Sequence, residues 1–390
     1  MSKRNETASP LLRFKSYNKY WEKVQLKEVS NYFNGGSFEN NVVLNGKYEL
    51  ITLKSIDVSG NLVCSEKYIN SNVQTLGKDT LVMILSEQAP GLIGITARIP
   101  LENKYVLNQR VAEIRPNKNI NSYFLSLSIN RNQKYFSKYS AGTKVQNISK
   151  PNVRNYSFFI PDYGEQNKIA EFLSSVDKKI QLLEKKKEQL ELYKKGVMQK
   201  IFSREVRFKD ENGNSYPDWE EKKLEDCIIS NKKSKIQVNE VSENDKNEIN
   251  KFPFFTSGER VFYSDQYLID DENIFMSTGG RATVKYYNGQ CSFSTDTYSF
   301  KTTNQYSVRF IFFFLQRIIN RIEAQYFYGS GLKHLDKKGF SKYKLYLPTL
   351  KEQKKIADFL SAIDNKIDTT STQIDKTKEF KKGLLQQMFV

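Results

Sequence analysis

The sequence predicts an α+β protein made of two like halves, each a mixed α/β unit followed by a long helix. Three observations carry this. The block Glu165-Gln-Asn-Lys-Ile-Ala-Glu-Phe-Leu-Ser-Ser-Val-Asp-Lys-Lys-Ile180 returns 187 residues later as Glu352-Gln-Lys-Lys-Ile-Ala-Asp-Phe-Leu-Ser-Ala-Ile-Asp-Asn-Lys-Ile367, with 11 of 16 positions identical. Apolar residues within each copy keep a helical seam. The stretches before each copy mix short strand-like and helix-like apolar runs at the size of one domain each.

The chain opens on a polar stretch, residues 1–10, expected to fray. Arg13-Phe14-Lys15 followed by Trp21-Glu22-Lys23-Val24-Gln25-Leu26 is echoed by Arg207-Phe208-Lys209 and Trp219-Glu220-Glu221-Lys222-Lys223-Leu224, and these hold both tryptophans of the chain. Residues 27–155 and 225–342, which follow, share hardly any sequence. Within them Leu81–Leu85 and Asn273–Ser277 read as buried strands, each followed by turn glycines, Gly91 and Gly94 or Gly279 and Gly280. Tyr123–Ile129 and Phe310–Ile322 read as buried helices.

Pro161 and Pro348 stand just ahead of the long helices, where a missing N–H costs little. The first seam runs Ile169, Leu173, Val176, Ile180, Leu183, Leu190, Val197, Ile201, and the second Ile356, Leu360, Ile363, Ile367, Ile374, Leu384, Met388. Lys187, Lys194, Thr370, Thr377 and Lys381 interrupt it. Gly196 and Gly383 inside the last turns allow close packing or a kink. One reading of the seam is the core of a single large domain. The other is a coiled-coil pair that spaces two units, antiparallel if an internal two-fold relates the halves. The expected partition is 1–160, 161–204, 205–347 and 348–390.

Composition narrows the function. Sixty-one Lys and Arg against 44 Asp and Glu leave a net charge of +17, which points to a polyanion. The excess is uneven: residues 1–160 hold 22 basic and 11 acidic side chains, 205–272 hold 10 and 17, and 273–347 hold 11 and 3. A basic face is therefore expected in each variable unit. The single histidine, His334, and three scattered cysteines, Cys64, Cys227 and Cys291, argue against a metal site, a disulfide scaffold or histidine-based catalysis, and fit a reducing cytosolic compartment. Neither a phosphate-binding glycine loop nor a dinucleotide turn is present. Asp218 with Glu220 and Glu221 lies too close in sequence for a two-strand nuclease site. No export signal or run long enough to span a membrane is recognised.

Candidate DNA contacts cluster in the basic stretches: Arg98, Lys104, Asn108, Gln109, Arg110, Arg131, Asn132, Gln133 and Lys134 in the first unit, and Arg281, Lys285, Tyr286, Tyr287, Asn288, Gln290, Ser294, Thr295 and Asp296 in the second. Guanidinium forks suit guanine and amides suit adenine. The 187-residue offset lays Asn108-Gln109-Arg110 on Thr295-Asp296-Thr297, so the chemistry differs at matching places. Lys144 and Lys333, which follow Gly142 and Gly331, are expected to grip phosphate. The runs Lys185-Lys186-Lys187 and Lys194-Lys195 read as a solvated helix face.

Two variable units, each opened by Arg-Phe and Trp-Glu segments and closed by a proline, a Glu-Gln-x-Lys-Ile-Ala-x-Phe-Leu-Ser block and a Lys-Lys-Gly-x-x-Gln-x-x-Phe helix end, resemble the specificity subunit of type I restriction–modification systems. The resemblance covers nearly the whole chain. It implies two target recognition domains, each reading one half of a split double-stranded DNA sequence, with antiparallel helices setting the gap. It also implies an adaptor without catalysis. Two modification subunits would bind S-adenosylmethionine and methylate adenine, and two restriction subunits would use ATP and Mg2+. The second helix departs from the pattern in its threonine-rich run Thr369–Thr377. Two other classes stay open at this point. One is a coiled-coil scaffold or RNA-binding adaptor, and the other a self-sufficient methyltransferase or nuclease.

Overall fold

The computed structural model describes residues 6–71, 73–88, 91–241 and 251–390. The chain divides into two compact units: Met1–Leu182 with Gln373–Val390, and Leu183–Thr372. Both long helices contribute to both units, because one runs unbroken from Tyr163 to Phe202 and the other from Leu350 to Gln387.

In the first unit the opening strand Trp21–Gln25 pairs antiparallel with Ser157–Ile160, the last strand before the helix. Leu26–Val29 then makes one helical turn whose capping box joins Gln25 and Glu28. A four-stranded sheet follows, ordered Ser30–Asn34, Val111–Pro116, Leu81–Ile84, Thr96–Arg98. Leu81–Ile84 is buried at every residue, which is why it reads as a continuous apolar run rather than an alternating one. Helix Ser122–Asn130 starts where the Asn121 carboxamide accepts from the amides of Tyr123 and Phe124.

The second unit is built around a six-stranded sheet ordered Ile228–Ser230, Thr297–Thr302, Ile269–Ser277, Val284–Phe293, Phe252–Phe255, Val261–Ser264. Helix Val308–Tyr326, capped by the Ser307 hydroxyl, lays Phe310, Ile311, Phe313, Phe314, Leu315, Ile318 and Ile322 into its core.

A common core underlies the unlike sequences. In each unit a buried strand (Leu81–Ile84; Ile269–Ser277) pairs with a later strand (Val111–Pro116; Thr297–Thr302) that leads into the buried helix. A short hairpin comes next (Ser140–Ala141 with Gln146–Ile148; Phe327–Tyr328 with His334–Leu335). One helical turn (Lys150–Arg154; Lys337–Ser341) and a closing strand (Ser157–Ile160; Lys344–Leu347) complete it. The units differ in what precedes this series and in what lies between its first two strands, Ser86–Glu87, Thr96–Arg98 and Tyr105–Leu107 in the first and Val284–Phe293 in the second.

The three lysines that interrupt the seam find partners on the facing helix. In the second unit Lys194 pairs with Asp364 at 2.7 Å and Lys187 Nζ donates to Ser371 Oγ at 3.4 Å. Ascending one helix means descending the other, so the two segments run antiparallel. In the first unit Lys381 pairs with Asp177 at 2.6 Å, the counterpart of Lys194 with Asp364 under the 187-residue offset. Thr370 and Thr377 turn their hydroxyls onto the carbonyls of Lys366 and Gln373 in the preceding turn. The expectation of close packing at Gly196 and Gly383 is not met. A Cβ would have open space at both, and the helices are continuous there.

Candidate nucleic-acid interface

Each variable domain is fixed to its helix by the Glu-Gln pair that opens the repeated block. Glu165 and Glu352 are fully buried. Glu165 receives both Nε (2.7 Å) and Nη2 (2.6 Å) of Arg13, and Glu352 receives the same atoms of Arg207 at 3.2 and 2.8 Å. The carboxylate in turn raises the pKa of each guanidinium. The neighbouring glutamine faces two ways. Gln166 donates Nε2 to the Pro161 carbonyl and accepts from the Asn121 amide, and Gln353 does the same with Pro348 and Ser307. Asn121 and Ser307 are the N-caps of the buried helices, so the motif ties the start of each buried helix to the start of the long helix that follows its domain. The Arg-Phe openers and the Glu-Gln pairs recognised in the sequence thus meet in space.

At the far end of each buried strand the backbone is wired identically. The amide of Leu85, which follows strand Leu81–Ile84, donates to the Arg110 carbonyl at 3.0 Å. That of Thr278, which follows strand Ile269–Ser277, donates to the Asp296 carbonyl at 3.1 Å. The structural equivalents are therefore Arg110 and Asp296, one residue off the pairing given by the 187-residue offset. Both side chains are exposed, and Arg110 sits in the left-handed region at φ 66°. Gln109 and Arg110 stand at the first tip, and Lys144 lies on the hairpin whose Ile148 anchors to Leu85. Around the second stand Arg281, Thr295, Asp296 and Lys333, where the Asp296 carbonyl also accepts from the hydroxyls of Thr278 and Ser257. A cavity of about 540 Å³ lined in part by Thr256–Arg260, Ser294 and Asp296 opens beside the second tip.

Other candidates fall elsewhere. Arg98 pairs with Leu81 at the opposite end of the same buried strand, 3.6 Å from Asp79 and over the Tyr123 ring. Lys104 lies over the ring of Tyr105, the first residue of strand Tyr105–Leu107. Asn132 and Lys134 are exposed just past the buried helix, and Gln133 donates to the Asn130 carbonyl. On strand Val284–Phe293, Tyr287 packs on Phe255, Gln290 donates to Asp270, Tyr286 donates to Glu272, and Asn288 lines a separate cavity beside Arg309 and Ser361. Ser294 is buried against Thr297.

Three candidates hold bonds within the fold, and for the buried Asn108 this corrects its reading as a DNA contact. Asn108 is 2% exposed, donates to Glu39 and accepts from the Phe38 amide. Arg131 donates to the Val390 carbonyl over the Phe389 ring, and burial there lowers its pKa. Lys285 donates to the carbonyls of Thr256 and Gly258, and burial lowers its pKa too. Gly142 also has a different partner from the one expected: its counterpart is Gly329, not Gly331, since both sit at positive φ (139° and 147°) at the hairpin tip.

Asp218 and Glu220 pair with Arg207 and Lys222, and Glu221 with Lys344 and Tyr346. Among the described residues no group of His, Cys, Asp or Glu is placed to hold a metal, and no helix is long and apolar enough to cross a membrane.

The family described as "Type I restriction modification DNA specificity domain" matches residues 18–192 and again 216–379. The chain belongs to this family. It carries the specificity domain twice, and each match spans a variable domain together with most of the helix that follows it. Among curated relatives it is similar to the type I restriction enzyme MjaVIII specificity subunit of Methanocaldococcus jannaschii, 27% identical over 201 residues, or 48% of this chain and 46% of that one. It is also similar to the putative MjaX specificity subunit of the same organism, 29% identical over 306 residues, 70% of this chain and 68% of that one. The aligned part thus spans about half of the first relative's length. Among solved structures the fold is like the type I restriction-modification S subunit from M. genitalium, with TM-score 0.69, 16% identity and coverage of 98% and 99% of the two chains. A chain from a structural study of complex assembly in the type I R-M system gives TM-score 0.54 at 15% identity, covering 94% and 97%. The specificity subunit family is one of DNA-recognition subunits.

Proposed function

We propose that the two tips read the two halves of a split DNA target, and that the chain acts as a non-catalytic adaptor for enzymatic partners. One observation carries this reading. A single backbone scaffold occurs twice, and at its matched tip position it presents Arg110 in one domain and Asp296 in the other. Arginine in the major groove favours the two acceptors of guanine, and a carboxylate accepts from the cytosine amine. Domains so alike in frame and unlike in chemistry suit two different half-sites. The basic balance of residues 1–160 and 273–347 supplies the phosphate attraction that both need.

On this reading the helices fix the gap between half-sites. They also dock two modification and two restriction subunits, in which S-adenosylmethionine, ATP and Mg2+ act. Mapping methylated adenines in a genome that carries this protein with those partners tests the proposal. The expected result is one motif of two short defined halves around a fixed run of unspecified bases. A single continuous motif, or methylation indifferent to sequence, contradicts it.

A further inference from the structure

One exposed element recurs in both variable domains at the full 187-residue offset, although their sequences have otherwise diverged. It is the hairpin after the buried helix. Gly142 and Gly329 open its tip at φ 139° and 147°, where a Cβ would lie 1.9 Å from the Val145 carbonyl oxygen and 2.5 Å from that of Leu332. Only glycine fits such a turn. The next residue is an exposed hydroxyl in both, Thr143 and Ser330. The hairpin also docks identically: the amides of Ile148 and Leu335 each donate at 3.0 Å to the carbonyl of the residue that follows the buried strand, Leu85 and Thr278. Those same residues donate to Arg110 and Asp296, so hairpin and variable turn share one anchoring point.

An element that is the same in both domains cannot distinguish two half-sites and has to meet something common to both. Charge indicates what that is. No acidic residue occurs between Glu113 and Asp162, and the hairpin Phe327–Leu335 has none either. Lys144 and Lys333 are exposed on the two hairpins. Lys333 matches Gln146, two positions along from Lys144, and both lysines lie in the turn that precedes the second strand of their hairpin.

We propose that this hairpin is a sequence-independent clamp on the phosphodiester backbone, set beside the turn that reads bases. Glycine lets the backbone turn tightly, the hydroxyl offers a donor to a phosphate oxygen, and the lysine supplies charge. The assignment rests on the reading of the chain as a DNA reader and adds the division of labour within each tip.

The test uses the full chain assembled with its modification subunits, with affinity for duplex DNA measured over a range of salt concentrations. Lys144→Gln and Lys333→Gln should each lower the slope of log affinity against log salt by about 0.9, and the double variant by about twice that. The methylated motif and the fraction of assembled complex should not change. An unchanged slope in the double variant overturns the clamp. So does an altered motif, which would make the hairpin a base reader, or lost assembly, which would make it a surface for the modification subunit. A wild-type complex without sequence preference would overturn the bipartite reading instead, and the salt slopes would still decide the clamp, because gripping phosphate needs no preferred sequence.

Discussion

Trp21 and Trp219 hold matching places in the two units but not matching hydrogen bonds. Trp21 Nε1 donates to the buried Glu165 carboxylate at 3.2 Å, whereas Trp219 Nε1 is buried with no partner among the described residues. A hydrogen bond to a charged acceptor is worth about 1.5–3 kcal/mol, and an unpaired buried donor contributes nothing to keep. Trp21→Phe should therefore destabilise the protein by about that much more than Trp219→Phe, measured by denaturant unfolding of each variant. Equal losses would mean that the indole–carboxylate bond carries no weight. The cysteines offer a second check. Cys64 is exposed, while burial pushes the thiols of Cys227 and Cys291 up to about 11 and about 12. Near pH 8 both buried groups are neutral and shielded, so a thiol reagent should modify one cysteine quickly and the other two only on unfolding. Rapid modification of two or three in the native protein would contradict the packing.

Between the helices, the ion pair of Lys194 with Asp364 fixes register, because sliding by one residue would strand both charges against the apolar seam. Replacing either residue by alanine should cost more than replacing both together would suggest, with a coupling of about 0.5–3 kcal/mol in a double-mutant cycle. Additive losses would show that the apolar stripe alone sets the register. The helices themselves were legible in sequence. Their seam is periodic, their opening blocks share 11 of 16 residues, and of the five polar interruptions visible as anomalies Lys187, Lys194 and Lys381 bond across the pair while Thr370 and Thr377 bond to their own helix. The variable domains were legible only in part. Leu81–Ile84 and Val308–Tyr326 stand out because burial on all sides or along one stripe leaves an apolar signature. Their common core did not show, because a sheet interior accepts many apolar sequences of similar volume and so keeps no residue-by-residue likeness. Polar residues were harder still. Nothing in a sequence distinguishes Asn108, locked between Glu39 and Phe38, from Gln109 beside it on the surface. The hairpin leaves a sequence trace, since Gly142-Thr143 and Gly329-Ser330 keep the offset of the helices, but Gly331 two residues on blurs which glycine is the counterpart.

Across the whole molecule, the proposed function requires the two variable domains to act independently. Each variable domain has its own sheet, its own buried helix and its own Arg–Glu anchor to the repeated block. The most direct test replaces residues 27–155 with the corresponding stretch of a relative that has a different target, keeps the anchors at Arg13, Trp21 and Glu165, and maps methylated adenines made by the assembled complex. One half of the motif should change to that of the donor, while the other half and the number of unspecified bases between them stay as they were. A chimera that alters both halves, or neither, would contradict the account.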